Sequence, residues 1–230
     1  DTLTGGSGTN DILSLSLDGT NDDATAGQLA NVSGFETISF SNDDEVDITL
    51  HEDNVSDGGS ITINATNIST QVLTFSAANE TDGSVTVSAA GAGAHQITLG
   101  NGNDTYTSTS TGVDAVTATG GDNTISTGDG ADEVTGGTGD DSVFMVATST
   151  VADTLDGGAG TDVLGLTADV TATVGARFSN FEILDLIDAA AGTWDMDDYS
   201  NSTGMTTVRA SGEFAGDTLA TVNDIADGGT

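Results

Sequence analysis

The chain has 230 residues, with 37 acids against two basic residues and a formal net charge of −35. That balance leaves no basic footprint for nucleic acid. No apolar run is long enough to span a membrane, and the absence of cysteine rules out disulfides. Of the acids, 30 are Asp and seven are Glu. Asp is the short acid of turns and metal loops, so much of the charge belongs at turns, where a cation can offset it. Without one, self-repulsion expands the chain; adaptation to salt is a compatible second account of the same bias. Proline is absent and aromatics are few, which points to a thin solenoid filled by Val, Ile and Leu.

In chain order, short runs alternate apolar residues with Thr, Ser or Asp, the period-two pattern of half-buried strands. They fall at residues 12–17, 36–40, 46–50, 60–65, 71–77 and 84–89. After a glycine-rich block they resume at 163–166, 170–174, 181–186, 193–197 and 206–211. Gly, Asn, Asp and Ser separate them. A short helix over 22–29, with Asp23 as its cap, is the one helical expectation.

Between residues 90 and 144 the chain repeats every nine residues, with one extra residue, Ser108. Gly93, Gly102, Gly112, Gly121, Gly130 and Gly139 hold the fourth place. Asp104, Asp114, Asn123, Asp132 and Asp141 hold the sixth, where the first repeat has His95. Ile97, Tyr106, Val116, Ile125, Val134 and Val143 hold the eighth. The pattern is that of the calcium-binding β-roll nonapeptide. Its glycines (Gly102, Gly112, Gly128, Gly130, Gly137 and Gly139, then Gly158 and Gly160 further on) admit turn conformations that present carbonyl oxygens. The acid adds a carboxylate. Calcium takes about six to eight oxygens, so two stacked turns are needed for one ion. Two nonapeptides make one coil, and alternate repeats stack on the same side. One row is therefore His95, Asp114, Asp132 and the other Asp104, Asn123, Asp141. Calcium is expected between Asp114 and Asp132, between Asp104 and Asn123, and between Asn123 and Asp141. Asn123 weakens its sites and His95 is a poor ligand.

A longer repeat overlies the short one. Residues 1–15 match 153–166, and 31–40 match 177–186, with a shared Phe-Glu pair at Phe35-Glu36 and Phe181-Glu182. Residues 46–50 then correspond to 193–197, and 60–65 to 206–211. The period is about 150 residues, so the chain holds one unit and roughly half of the next. Asp11 and Asp162 take equivalent places as acids of isolated calcium turns, and Phe35 and Phe181 read as core plugs. The expected organisation is 1–89 as the solenoid part of the first unit, 90–144 as the nonapeptide β-roll, 145–152 as a connector and 153–230 as the start of a second, truncated unit. With no Met at Asp1 and a glycine turn at 226–230, the chain reads as a segment of a longer protein.

On these residues the chain resembles the RTX group of secreted calcium-binding proteins. The nonapeptides at 99–144 and the turn at 157–165 carry that resemblance. The glycine turn followed by a Ser-x-Phe-Glu-x-Leu strand resembles repeats of bacterial S-layer proteins and large surface adhesins. The resemblance implies an all-β, right-handed parallel β-helix or β-roll solenoid with several Ca2+ ions in Gly/Asp turns. It further implies type I secretion and folding outside the cell. The first-position glycines are replaced by Leu99, Thr109, Ala118 and Thr127, which puts individual sites in question more than the fold.

No enzyme is expected. The two histidines are His51 and His95, there is no zinc motif and no cysteine, and acid pairs such as Asp43-Asp44, Asp140-Asp141 and Asp197-Asp198 carry little information in so acidic a chain. Trp194 and Tyr199 read as strand-layer filling. The sequence thus points to a calcium-folded structural repeat of a bacterial cell-surface layer, sheath or filament. Its partners would be copies of itself bridged by Ca2+, with cell-surface polysaccharide as a further candidate. The alternatives are the extender of a large adhesin and the calcium-folding module of a secreted hydrolase.

Overall fold

The computed structural model describes residues 2–16, 26–145, 153–187, 193–202, 204–211 and 221–223. It is an all-β parallel solenoid. One sheet has ten strands: Ile12–Leu15, Thr37–Phe40, Ser60–Ala65, Ser84–Ala89, Thr105–Ser108, Thr124–Ser126, Ser142–Met145, Val163–Leu166, Ile183–Leu186 and Thr207–Ala210. The facing sheet has seven: Val46–Thr49, Leu73–Ser76, Gln96–Thr98, Ala115–Thr117, Glu133–Thr135, Thr154–Asp156 and Phe178–Ser179. The chain moves from one sheet to the other at each corner, so neighbours in a sheet come from successive coils. Both sheets run without a break across residue 90, and both continue after residue 153. Of the connector expected at 145–152, Met145 ends a strand of the larger sheet and 146–152 lie outside the described residues.

Period-two patterning makes the core. Ser84–Ala89 alternates half-buried and buried residues along its whole length. Because the strands are parallel and in register, one inward residue per coil stacks on the next. In the larger sheet the row runs Ile38, Ile63, Val87, Tyr106, Ile125, Val143, Leu164, Leu184. In the smaller it runs Ile48, Phe75, Ile97, Val116, Val134, Leu155, Phe178. Every one of these side chains is buried, each worth about 1.5–3 kcal/mol. The eighth residue of each nonapeptide is a member of one row or the other.

Two expected strands differ. At 170–174 the chain forms the short helix Ala172–Gly175, in which the Val174 and Gly175 N–H groups donate to Thr171 O at 2.8 and 2.9 Å. Val170 and Val174 are both buried, and their spacing of four serves one face of a helical turn as well as it serves a strand. At 193–197 the strand stops at Asp195, whose Oδ1 accepts the Asp197 N–H at 3.1 Å and turns the chain into the 3-10 helix Met196–Tyr199. Thr193–Asp195 pairs with Thr221–Asn223 in a separate sheet, unlike Val46–Thr49, its counterpart in the long repeat. Of the helix expected at 22–29, Ala26–Leu29 is helical and 22–25 lie outside the described residues.

The first part of the long repeat, up to the Phe-Glu pair, holds bond by bond. Leu3–Thr4 pairs with Val32–Ser33 as Leu155–Asp156 pairs with Phe178–Ser179. The Gly5 N–H donates to Ser33 O at 3.0 Å, and the Gly157 N–H donates to Ser179 O at 3.0 Å. Gly34 has φ +68°, and its counterpart Asn180 has φ +57°. Asn is the side chain that best tolerates this left-handed region. Phe181 is fully buried while Phe35 is half-buried.

Candidate metal centre

The corners of the solenoid carry the chemistry. Each sixth-position side chain sits just before a strand and reaches back one coil. The Asp104 N–H donates to Asn123 Oδ1 at 3.0 Å, the Asn123 N–H to Asp141 Oδ1 at 2.8 Å, and the Asp141 N–H to Asp162 Oδ1 at 2.8 Å. The Asp162 N–H continues the row to Glu182 Oε2 at 2.8 Å. On the other side, the His95 N–H donates to Asp114 Oδ1 at 3.1 Å, Asp114 to Asp132 Oδ1 at 2.8 Å, and Asp132 to Asp153 Oδ1 at 2.9 Å. The two rows have the membership their spacing predicts, lengthened by Asp153 and Glu182. A third, exposed row of opposite sense lies at the fifth positions. There the Asp122, Asp140 and Thr161 N–H groups donate to the side chains of Asn103, Asp122 and Asp140, at 2.7–2.9 Å.

The fourth-position glycines are required by stacking. A Cβ on Gly121 would lie 2.0 Å from Gly102 O, one on Gly139 2.2 Å from Gly121 O, and one on Gly160 1.9 Å from Gly139 O. Gly112 and Gly130 stand in the same relation to the carbonyls of Gly93 and Gly112. No side chain fits at such a distance, so glycine lets one turn rest directly on the next. Gly128, Gly137 and Gly158 also have positive φ.

Because one carboxylate oxygen is used in the row, the other decides what each corner can hold. Asp104 Oδ2 accepts the Gly100 N–H at 2.8 Å, and Asp114 Oδ2 accepts the Tyr106 hydroxyl at 2.9 Å. By contrast, Asp11, Asp141 and Asp162 each keep an Oδ2 that is buried and has no hydrogen-bond partner. These three belong to turns with the full Gly-Gly start: Gly5-Gly6, Gly136-Gly137 and Gly157-Gly158. Where Leu99 or Thr109 replaces the first glycine, a protein donor fills the place.

The departures from the pattern follow the same logic. Asn123 turns its amide nitrogen onto turn carbonyls, Gly120 O at 3.2 Å and Gly121 O at 3.0 Å. His95 accepts the Leu73 N–H at Nδ1, 3.2 Å, and its Nε2 faces Ala90 O at 3.3 Å. Both side chains keep the row bond and bring a nitrogen to the carbonyls of their turns.

Burial pushes the carboxyls of Asp104, Asp132, Asp141 and Asp162 up to about 6, and their acidic neighbours add to it. Asp114 is raised for the same first reason. The orphaned oxygen of Asp141 also lies near another oxygen. A Cβ on Gly136 would lie 2.3 Å from Gly157 O and 2.6 Å from Asp141 Oδ2. A carboxylate oxygen and a carbonyl of the next turn thus converge on one point. At the other two turns, Gly157 lies between Asn180 O and Asp162, and Gly5 between Gly34 O and Asp11. An all-oxygen, anionic set suits a hard divalent ion.

Spacing alone missed Asp153, Glu36 and Glu182 as row members. Glu36 Oε2 accepts the Asp11 N–H at 2.8 Å, as Glu182 does for Asp162. The Phe-Glu pair shared by the two long repeats was the available signal. No family model, curated protein or solved structure matches this chain. Among the described residues no helix is long and apolar enough to cross a membrane.

Proposed function

We propose that this chain is a secreted, calcium-binding structural repeat of a bacterial cell-surface layer, sheath or filament, folded and assembled by Ca2+. One observation carries the reading: the buried, unpartnered carboxylate oxygens of Asp11, Asp141 and Asp162 recur at the three described Gly-Gly-x-Gly turns, 5–8, 136–139 and 157–160. Two basic residues cannot neutralise a net charge of −35. Buried acids need a proton, a cation or a polar partner, and these turns offer the first two choices only. Calcium would sit with the carboxylates of these three residues and neighbouring turn carbonyls, lowering the charge and tying coil to coil. Asp104, Asp114, Asn123 and Asp132 would chiefly hold the rows in register.

The unbroken sheets favour a second reading, a stalk segment of a large adhesin, for which self-assembly is not required. A calcium titration followed by circular dichroism and light scattering, with magnesium as control, tests both. Folding and scattering that rise together with calcium support the layer or filament. Folding without assembly favours the stalk. A fold indifferent to calcium and chelator overturns the metal role.

A further inference from the structure

The acidic corner does not end where the nonapeptides end. One coil before Asp104, the turn that follows Leu73–Ser76 carries Glu80, which is fully buried. Its backbone is packed under the nonapeptide turn, because the Asn101 N–H donates to Glu80 O at 3.2 Å. Glu80 Oε1 accepts the Gly83 N–H at 2.9 Å, while Oε2 is buried with no hydrogen-bond partner. Glu52, from the preceding coil, and Asp82 complete a group of three carboxylates whose oxygens lie within 4.8 Å of one another. Glu52 is held by the Thr81 hydroxyl at 2.7 Å. Among the described residues no basic side chain pairs with Glu52, Glu80 or Asp82.

We infer that Glu52, Glu80 and Asp82 form a separate divalent-cation site, of calcium size, that clamps the corner upstream of the nonapeptide block. The chemistry is that of a hard ion. The donors are carboxylate oxygens only, and a spacing up to 4.8 Å is what an ion with bonds of roughly 2.3–2.6 Å spans across its diameter. Burial, and then the charges of Glu52 and Asp82, push the Glu80 carboxyl up. Glu80 stands at the fourth place of its turn, Ala77–Gly83, rather than the sixth, which is why the nonapeptide pattern passes over it. Its longer side chain reaches the corner from that different position.

The site is independent of the Gly-Gly turns and is tested separately from them. Bound calcium per chain is counted by equilibrium dialysis at saturating calcium for four proteins: the wild type, E52Q/D82N, D141N/D162N and the combined variant. Glu52 is half-buried and Asp82 exposed, so their replacement leaves the core intact. The expected result is one ion fewer in E52Q/D82N, and one fewer again when that pair is added to D141N/D162N. An unchanged count in both backgrounds overturns the site while leaving the Gly-Gly turns standing. A wild type that binds no calcium overturns both. A loss in D141N/D162N without one in E52Q/D82N assigns all ions to the nonapeptide turns.

Discussion

Asp162 Oδ1 accepts the backbone N–H of Asp141 at 2.8 Å, while Asp162 Oδ2 is buried without a partner. The oxygen that keeps the coils in register and the oxygen available to a cation are therefore different atoms. The row aligns the turns without any ion, and under the proposed function the second oxygen is the one a cation would take.

This separation sets the pH dependence. Four acids, Asp104, Asp132, Asp141 and Asp162, titrate at about 6 when folded, against an ordinary 3.8. The folded state binds protons more tightly, so this contribution is complete below the ordinary value and is lost as pH rises through about 6. In chelator, urea midpoints should fall steadily between about pH 4 and pH 7. Calcium should remove most of that fall, and its apparent affinity should rise with pH over the same window, because protons compete for the same carboxylates. A chelated chain that gains stability toward neutral pH contradicts this account.

Exchanging acid and amide should move stability in opposite directions with and without metal. Asp141→Asn removes an orphaned charge and, by analogy with Asn123, supplies a donor to its turn. In chelator at pH 7 it should stabilise by about 1–2 kcal/mol, and it should weaken calcium binding. Asn123→Asp deletes the bonds to Gly120 O and Gly121 O. It should cost about 1–3 kcal/mol in chelator, with part regained in calcium. Thermal melts in both buffers check the pair.

Gly139 and Gly58 both have positive φ, +122° and +65°, but a Cβ on Gly139 would meet Gly121 O at 2.2 Å, whereas one on Gly58 meets nothing within 4 Å. Gly139→Ala should cost roughly 3 kcal/mol or more, combining backbone strain with overpacking. Gly58→Ala should cost only about 1–2 kcal/mol. Equal urea midpoints for the two variants would refute the close stacking of turns.

Arg209 Nε donates to Asp185 Oδ2 at 2.9 Å, and Asp185 is 2% exposed. Arg209→Gln should destabilise by about 2 kcal/mol by leaving the buried acid without its cation, and Asp185→Asn in the same chain should restore most of the loss. A double variant no better than the single would assign the effect to lost packing of the arginine.

Much of the candidate site was legible in the sequence. The nine-residue spacing predicted which of His95, Asp104, Asp114, Asn123, Asp132 and Asp141 share a row, because coil length is set by residue count. It treated all the acids as equivalent ligands. Their difference lies in the second oxygen, and contacts such as Tyr106 to Asp114 or Gly100 to Asp104 depend on where a turn places a donor. Residues 170–174 read equally well as strand and helix, since Val170 and Val174 satisfy both periods.

By itself, the sequence determined the parallel solenoid, its inward rows from Ile38 to Leu184, and the gathering of acids at its corners. Those properties follow from periodicity and net charge, which survive any local detail. Only the tertiary structure decided that Asp11, Asp141 and Asp162 keep an oxygen free, and that Glu80 joins Glu52 and Asp82. Both are matters of which donors lie within hydrogen-bond reach of a buried carboxylate, and that reach is created when one coil comes to rest on another.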